Sequence, residues 1–293
     1  MSAIEIKNLT YVYSPKTPFE KVALSDINLS IEEGQFVGIV GATGSGKSTL
    51  IQHLNGLVKV QDKKESSVVV NGMSATDKKT LKNLRFEVGM VFQYPEYQLF
   101  ADTVEKDVAF GPKNMKLEKD EIDRRVRRAI EVVGLDYDAF AHRSPFDVSG
   151  GEKRRVAIAG VIAMEPKILV LDEPVAGLDP QGRGEILALV KKLQKEVSPT
   201  VIMVSHNMDD IAVIADRIVA LKDGKLIADG TPKEVFSNRK LIEEAGLDVP
   251  CATRISDMLI ERGIDLPRDI ISMDELCEKL AEIKAKKGGN EHV

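Results

Sequence analysis

The stretch that decides the fold reads Gly41-Ala42-Thr43-Gly44-Ser45-Gly46-Lys47-Ser48, which matches the phosphate-binding pattern G-x-x-x-x-G-K-[ST]. The apolar run 36–40 before it predicts a buried strand, and residues 49–57 after it predict a helix. The glycines let successive N–H groups point at anionic oxygens, and the helix N-terminus adds partial positive charge. Lys47 is expected to reach the β- and γ-phosphates, and the Ser48 hydroxyl to bind Mg²⁺. This loop predicts nucleotide binding, a property that kinases, GTPases and ATP-driven proteins share.

Composition narrows the class of protein. With 293 residues, of which 43% are hydrophobic, the chain should form one large domain plus an appendage, or two domains. The net charge of −5 provides no global basic field that would favour nucleic acid. Cys251 and Cys277 are too few for a disulfide framework or a metal cage, so free thiols in a reducing cytosol are expected. The longest apolar run, 156–164, is far short of the ~20 residues that span a bilayer, so a soluble chain is expected, and a membrane-bound partner stays open.

The order of strands and helices indicates an α/β fold. Strand patterns up to residue 92 precede a helical region at about 100–164, and strands return at 168–171 and 200–204 around a helix at 181–196. Such alternation predicts a mainly parallel sheet covered on both faces. Segments 217–221 and 225–228, joined by Asp223-Gly224, predict a closing hairpin and therefore an antiparallel edge.

The last part of the chain has a different character. We predict a nucleotide-binding domain over 1–238, with its helical subdomain at about 100–164, and a C-terminal helical extension over 239–293. Helices are expected at 253–262 and 272–286. The second carries a narrow apolar stripe made of Met273, Leu276, Leu280 and Ile283. Because two short helices cannot hold a core alone, this stripe should pack on the main domain or on another subunit.

Two pairs of arginines, Arg124-Arg125 and Arg127-Arg128, lie on the predicted helix 118–133. They could form a nucleic-acid patch or a solvated helix face with acidic partners one turn away. The second interpretation is favoured, since Asp and Glu residues lie three or four positions away from the arginines. No nucleic-acid partner is therefore expected.

Polar residues follow the ends of several predicted strands. Asp172 and Glu173 end the apolar run 168–171, where Asp172 can hold Mg²⁺ through water and Glu173 can polarise the water that attacks the γ-phosphate. Gln93 ends another strand and can touch Mg²⁺ and that water. A lone histidine is more often structural, but His206, at the end of the strand 200–205, would hydrogen-bond the γ-phosphate.

The segment Ser149-Gly150-Gly151-Glu152 stands at a predicted helix start, about twenty residues before Asp172. Ser-Gly-Gly alone is a common cap and turn. Backbone N–H groups, a serine hydroxyl and a helix N-terminus nevertheless make an anion site. Since the chain already has one phosphate site, a second one suggests pairing across two chains.

Taken in order, these motifs resemble the ATP-binding-cassette (ABC) ATPases over about residues 3–238. The resemblance covers Walker A at 41–48, the Q-loop Gln93, the signature 149–152, Walker B with Asp172 and Glu173, the D-loop 176–179 and the switch His206. It implies an adenine stacked on Tyr13, with Tyr11 as the alternative, and catalysis by Glu173, His206 and Gln93. It also implies Mg²⁺ at Ser48, Gln93 and Asp172, and ATP at Tyr13, Gly41, Ala42, Thr43, Gly44, Ser45, Gly46, Lys47, Ser48 and Thr49.

One departure concerns the signature, which is usually Leu-Ser-Gly-Gly-Gln and here reads Val148-Ser149-Gly150-Gly151-Glu152. Ser149, Gly150 and Gly151 keep the phosphate-binding part. In the family this segment belongs to the site of the partner chain, so the ATP of one chain would meet Ser149, Gly150, Gly151 and Glu152 of the other.

The chain is more closely similar to the A component of energy-coupling-factor transporters. Three segments carry this resemblance: 92–100, 151–160 and the extension after Asn238, which resembles the C-terminal dimerisation domain of that family. It implies an ATPase peripheral to the cytoplasmic face of the cell membrane, paired with a second ATPase subunit as a homo- or heterodimer. Its other implied partners are a membrane-embedded T component and an S component that binds vitamins or transition-metal ions. The alternatives are a soluble ABC ATPase acting on nucleic acid or ribosomes, and a phosphate-loop kinase.

Overall fold

The computed structural model describes residues 2–288. Its strands are β1 (Ser2–Tyr13), β2 (Lys21–Glu32), β3 (Phe36–Val40), β4 (Ser67–Val70), β5 (Met73–Ser74), β6 (Val88–Val91), β7 (Ile168–Asp172), β8 (Thr200–Val204), β9 (Arg217–Lys222) and β10 (Lys225–Gly230). Its α-helices are α1 (Lys47–Leu54), α2 (Leu81–Glu87), α3 (Val104–Val108), α4 (Phe110–Asn114), α5 (Lys119–Val132), α6 (Tyr137–Phe140), α7 (Gly150–Ile162), α8 (Pro180–Glu196), α9 (Met208–Ile214), α10 (Pro232–Ser237), α11 (Arg239–Glu244), α12 (Cys251–Glu261) and α13 (Met273–Gly288). Short 3-10 turns span Pro95–Gln98 and Pro145–Asp147.

The larger sheet carries the functional edge. Its six strands run in the order β10-β9-β3-β8-β7-β6. All neighbours are parallel except β9 and β10, which form the predicted antiparallel hairpin. Every residue of β3, β7 and β8 is buried, as expected for parallel strands covered on both faces. The α/β fold with a mainly parallel sheet and an antiparallel edge is confirmed.

A second, antiparallel sheet in the order β2-β1-β4-β5 packs over one face of the first. One apolar core lies between the two sheets and includes Leu24, Ile39 and Leu50. The other core covers the opposite face of the parallel sheet with α3, α5, α7, α8 and α9. Because β3, β8, β7 and β6 are parallel neighbours, their carboxyl ends all lie at one edge of this sheet.

Helices α3 to α7 lie between β6 and β7, and the bounds of a helical subdomain at about 100–164 stay a prediction. In α5, Val126, Ala129 and Ile130 are buried, and Arg124, Arg127 and Arg128 are exposed, whereas the Arg125 side chain is only 15% exposed. Arg124 and Arg125 pair with Glu121, Arg127 contacts Glu131 at 3.7 Å, and Arg128 contacts Glu165 at 3.3 Å. The predicted ion-paired helix face is therefore confirmed.

The C-terminal extension corrects one expectation. α12, α13 and the segment between them build a small core of their own around Leu276, which is 1% exposed, and Leu280 and Ile283 pack against it. The stripe on α13 is thus largely covered within the extension, because α12 supplies the facing surface. Met273, predicted in the stripe, stays 46% exposed. The ion pair Lys233–Glu275 ties the extension to the preceding helix α10, and Arg239–Asp257 joins α11 to α12 within the extension.

The boundary placed between residues 238 and 239 stays a prediction. Ile242, only four residues beyond it, is 2% exposed and belongs to the core under the parallel sheet. Met1 and the last residues of the 239–293 extension, 289–293, lie outside the described residues. Across residues 2–288, no helix is both long enough and apolar enough to cross a membrane.

Candidate nucleotide-binding and catalytic site

The phosphate loop joins β3 to α1, in the predicted strand–loop–helix frame. Gly46 caps α1 with φ 105°, and a Cβ there would lie 2.5 Å from the carbonyl oxygen of Ala23. Only glycine fits this position, because both the left-handed backbone and the close approach exclude a side chain. The Lys47 ammonium donates to the carbonyls of Gly41 at 2.7 Å and Ala42 at 3.0 Å, so it lies folded over the loop. Burial lowers the pKa of Lys47, and the nearby carboxylates of Glu173 and Asp172 act in the opposite direction.

A cleft opens between the antiparallel sheet and the start of α1. It is lined by Tyr13, Lys21, Ala23, Gly44, Gly46, Lys47, Ser48 and Thr49. Tyr13 is 41% exposed there, and its hydroxyl lies 3.1 Å from the Thr49 hydroxyl. Tyr11 stands behind it, edge-on to Tyr13 at 4.9 Å and to His53 at 5.1 Å. The geometry therefore favours Tyr13 over Tyr11 as the ring that an adenine can reach.

The predicted catalytic residues come from adjacent strand ends. The order β3-β8-β7-β6 places the phosphate loop, His206, Asp172–Glu173 and Gln93 along one edge of the sheet. Ligands of open parallel sheets bind at this edge. The order of these residues along the edge follows from the order of the strands in the sheet. It differs from the order of the motifs along the chain, so the sequence alone could not predict it.

Asp172 and Ser48 are in contact. Asp172 is 9% exposed, and burial raises the pKa of its carboxyl group, while a hydrogen bond with Ser48 and the Lys47 ammonium oppose that shift. Hydroxyl and carboxylate oxygens are hard ligands that suit Mg²⁺. Within residues 2–288 no group of three or more His, Cys, Asp or Glu side chains could hold a metal ion. The Ser48–Asp172 pair thus fits a cation that takes most of its remaining ligands from phosphate and water.

Glu173 has an unusual backbone conformation, with φ 52°. Its backbone N–H donates to the carbonyl oxygen of Val204 at 3.0 Å, and its carboxylate lies 2.6 Å from His206 Nδ1. A non-glycine residue in the left-handed region is uncommon and is held there by its surroundings. The structure therefore joins Glu173 and His206 as a pair. The contact between His206 and a γ-phosphate stays a prediction.

Gln93 makes fewer contacts than the other predicted catalytic residues. It is exposed two residues beyond β6, and the described chain offers its side chain no hydrogen-bond partner. The structure places it at the predicted edge but does not bring it into contact with Ser48 or Asp172. Its roles toward Mg²⁺ and water stay predictions.

The signature segment forms a complete capping box at the start of α7. The Glu152 N–H donates to the Ser149 hydroxyl at 3.3 Å, and the Ser149 N–H donates to the Glu152 carboxylate at 2.7 Å. That backbone hydrogen bond holds the pKa of Glu152 below its usual value. Gly150 and Gly151 are exposed, and added Cβ atoms would meet nothing within 4 Å. None of these residues lines the cleft at the phosphate loop.

Sequence reasoning missed two cationic residues. Lys21, at the start of β2, lines the nucleotide cleft. Arg154, on α7, is 2% exposed and hydrogen-bonds Glu96 and two backbone carbonyls. The sequence places Arg154 between Lys153 and Arg155, and no pattern there distinguishes the buried arginine from its neighbours.

Comparison with known proteins agrees with this site. The family described as ABC transporter matches residues 24–176. The energy-coupling factor transporter ATP-binding protein EcfA2 of Clostridium perfringens is 51% identical over 282 residues, which cover 96% of this chain and 98% of that protein. The chain belongs to the energy-coupling factor transporter ATP-binding proteins. EcfA2 of Clostridioides difficile is 48% identical, with 98% of this chain and 99% of that protein covered.

Solved structures lead to the same family. The structure of cbiO1 from Clostridium perfringens, described as part of the ABC transporter complex cbiONQ, has a TM-score of 0.73 at 38% identity and covers 88% of this chain and 98% of its own. A dimeric, ADP- and Pi-bound ATP-binding cassette, MJ0796, has a TM-score of 0.67 at 31% identity, covering 78% and 98%. The cassette fold is confirmed, and the chain is an ATP-binding ATPase. These relatives do not support the kinase, nucleic-acid or ribosome alternatives.

Proposed function

We propose that this chain is the ATP-hydrolysing subunit of an energy-coupling-factor importer at the cytoplasmic face of the cell membrane. Its partners would be a second ATPase subunit, a membrane-embedded T component, and an S component that binds vitamins or transition-metal ions. The near-full-length similarity to transporter ATP-binding proteins supports this assignment. The cbiO1 structure, described as part of a transporter complex, supports membrane partners in the same way.

One observation carries the pairing of two ATPase chains. Ser149, Gly150 and Gly151 form an exposed helix N-terminus of the kind that binds anions. Within residues 2–288, no atom beyond the adjoining residues lies within 4 Å of a Cβ placed on Gly150 or Gly151. The phosphate loop in turn has its cleft open to solvent. Two chains packed head to tail would bring each loop against the other chain's signature, so each ATP would be bound by both.

The residues at the strand ends suggest how hydrolysis proceeds. Ser48 and Asp172 would hold Mg²⁺, whose charge offsets that developing on the phosphates. Glu173 would accept a proton from the attacking water, and His206 would orient Glu173 through the 2.6 Å contact. Lys47 would exchange its two carbonyl partners for phosphate oxygens, and Tyr13 would stack on the adenine.

The segment 94–100 supports docking of a membrane partner. Tyr97 is 85% and Phe100 60% exposed, and Phe100 lies edge-on to Phe110, itself 53% exposed, at 5.0 Å. Pro95 and Leu99 are instead buried. The backbone N–H groups of Phe100 and Ala101 both donate to Asp107, which fixes the segment against α3. Such an apolar surface suits a partner's helix.

The test is assembly with the membrane component. Tyr97→Asp should abolish capture of the T component from detergent-solubilised membranes and abolish transport. ATP binding should stay within about twofold of wild type, because Tyr97 does not line the nucleotide cleft. The matched control is Phe19→Asp, which charges an equally exposed ring in another loop. Assembly that survives in Tyr97→Asp would remove this segment as the docking surface.

A further inference from the structure

Arg154 occupies the centre of a buried polar cluster on the signature helix. Its side chain is 3% exposed, and that of Glu96 is 19% exposed. Its Nε and Nη2 atoms donate to the two carboxylate oxygens of Glu96 at 3.1 and 2.9 Å. Its Nη1 atom donates to the carbonyls of Pro174 at 3.1 Å and Ala176 at 3.0 Å. A single side chain therefore holds a bidentate ion pair and two backbone carbonyls.

These contacts connect three functional segments. Arg154 itself lies on α7, two residues after Glu152. Glu96 belongs to the segment that follows Gln93 and directly precedes the exposed Tyr97. Pro174 and Ala176 belong to the turn immediately after Glu173. Within residues 2–288, no backbone hydrogen bond joins these three segments, and Arg154 connects all of them through its polar contacts.

The turn held by Arg154 sets the backbone of Glu173. The Ala176 N–H donates to the Glu173 carbonyl at 3.1 Å, which closes the turn, and Glu173 has φ 52°. Such a conformation persists only where neighbouring contacts fix it. Arg154 holds the turn through the carbonyls of Pro174 and Ala176, and the carbonyl of Val204 in β8 holds the backbone N–H of Glu173.

The chemistry requires arginine. The planar guanidinium presents donors in a rigid fork that matches a carboxylate and still has donors for the two carbonyls. A lysine ammonium is a point charge and cannot reach acceptors on both sides with the same geometry. A buried charge is tolerated only when such partners satisfy it.

We propose that Arg154 is a positioning residue for ATP hydrolysis. It locks the turn that orients Glu173 and connects this turn to α7 and to the segment 94–100. A displacement of that segment is thereby transmitted to both the catalytic turn and the signature helix. This role rests on the ATPase activity in the proposed function and does not depend on which membrane proteins bind.

Steady-state ATP hydrolysis by the purified full-length protein tests the role. Arg154→Gln should lower kcat by about 10- to 100-fold, since a small misplacement of a catalytic group has an effect of that order. The KM for ATP should stay within about twofold, because Arg154 does not line the nucleotide cleft. Arg154→Lys should recover only part of kcat. The matched control is Arg155→Gln, which removes contacts to Val133 and Glu185 from the same helix and should leave kcat unchanged.

Glu96→Gln keeps a hydrogen-bonding side chain and tests the link from the other end. It should lower kcat less than Arg154→Gln, with the same unchanged KM. In the double variant, the fold-loss in kcat should be smaller than the product of the fold-losses of the two single variants. Each single change already breaks the contact between Arg154 and Glu96. Thermal unfolding of each variant separates a positioning role from a purely structural one. If Arg154 only stabilised the fold, its replacement would lower the melting temperature and leave kcat of the folded protein unchanged.

Three results would overturn the proposal: an unchanged kcat in either single variant, an equal fall in Arg155→Gln, or strictly multiplicative effects in the double variant. Should Arg154→Gln fail to fold, Glu96→Gln still decides, since an unchanged kcat there removes the link. None of these readouts involves a membrane component, so failure here is distinct from failure of assembly with Tyr97→Asp.

Discussion

Replacing Glu173 by glutamine isolates the proton transfer from the geometry that supports it. Glutamine has the same shape as glutamate. It can keep the hydrogen bond from the backbone N–H to the Val204 carbonyl and the side-chain contact with His206. Glu173 does not line the cleft at Tyr13 and the phosphate loop, and its replacement removes a negative charge near Lys47, so ATP binding should be kept. A positioned general base contributes about 10²–10⁴-fold in rate, which corresponds to about 3–5 kcal/mol of transition-state stabilisation. Glu173→Gln should therefore lose about that factor in kcat at an unchanged KM.

Single-turnover hydrolysis measures the chemical step, and size-exclusion chromatography with ATP measures pairing. We expect the variant to accumulate as an ATP-bound dimer, since the reaction that separates the chains has been slowed. The matched control is Glu165→Gln: this residue also has a positive φ, 54°, but lies before β7, at the opposite end of the strand from Glu173. Its turnover should match the wild type. Turnover of Glu173→Gln within about tenfold of wild type would refute the assignment of the base.

Three further outcomes are expected. Tyr13→Ala should weaken ATP binding about tenfold or more and Tyr13→Phe should not, because stacking on a ring contributes about 1–3 kcal/mol; equal affinities measured by calorimetry would reject Tyr13. A chain truncated after Val249 should bind ATP yet fail to pair without it, as measured by light scattering, and an unchanged dimer would contradict this. The lowered pKa of Glu152 adds stability that is present above its ordinary pKa of 4.5 and is lost as pH falls through the lowered value. The deficit in melting temperature of Glu152→Gln should accordingly be larger at about pH 7 than at about pH 3, and equal deficits would exclude the hydrogen bond with Ser149 as the cause.

The truncation is placed after Val249 because the structure changes the reasoning behind it. A cut at Asn238 would remove Ile242, which is buried in the main core, and would leave a gap there. A cut after Val249 removes α12 and α13 with their own small core and leaves Leu247 and Val249 in place. The apolar surface that the extension still exposes consists largely of Met258 and Met273. Loss of pairing would then be attributed to the extension and not to a damaged cassette.

Local patterns were enough to predict the parallel strands and the phosphate loop. The runs that became β3, β7 and β8 are continuously apolar, and each is followed by residues with specific chemistry. The backbone conformation of these strands follows from the preferences of neighbouring residues, so a short stretch of sequence is enough to predict them. The two-residue β5 has no such window, because its pairing with β4 depends on a turn and not on a pattern.

Contacts between distant segments could not be predicted in the same way. The pairing of His206 with Glu173 requires β8 to lie beside β7, and the burial of Arg154 requires Glu96 and Ala176 to converge on α7. Likewise, the cover of Leu276 comes from α12 and the loop after it. In each case the determining fact is tertiary packing between residues far apart in sequence, which periodicity does not record.

The helical subdomain is attached to the parallel sheet at two unlike junctions. Between α7 and β7, a Cβ on Gly89 would lie 2.7 Å from Pro166 and 2.8 Å from Val161, and Glu165 pairs with arginines of α5 at 3.1–3.4 Å. That junction is therefore close-packed and braced by charge. The junction after β6 instead carries exposed rings beside the buried Pro95 and Leu99, and the polar contacts of Arg154 join it to α7. A close-packed seam cannot move without losing apolar burial, whereas polar contacts hold a segment only as long as donor and acceptor keep their positions. The junction at 163–167 is therefore expected to keep its geometry, and a shift of the segment 94–100, which directly follows Gln93, is expected to act on the contacts of Arg154.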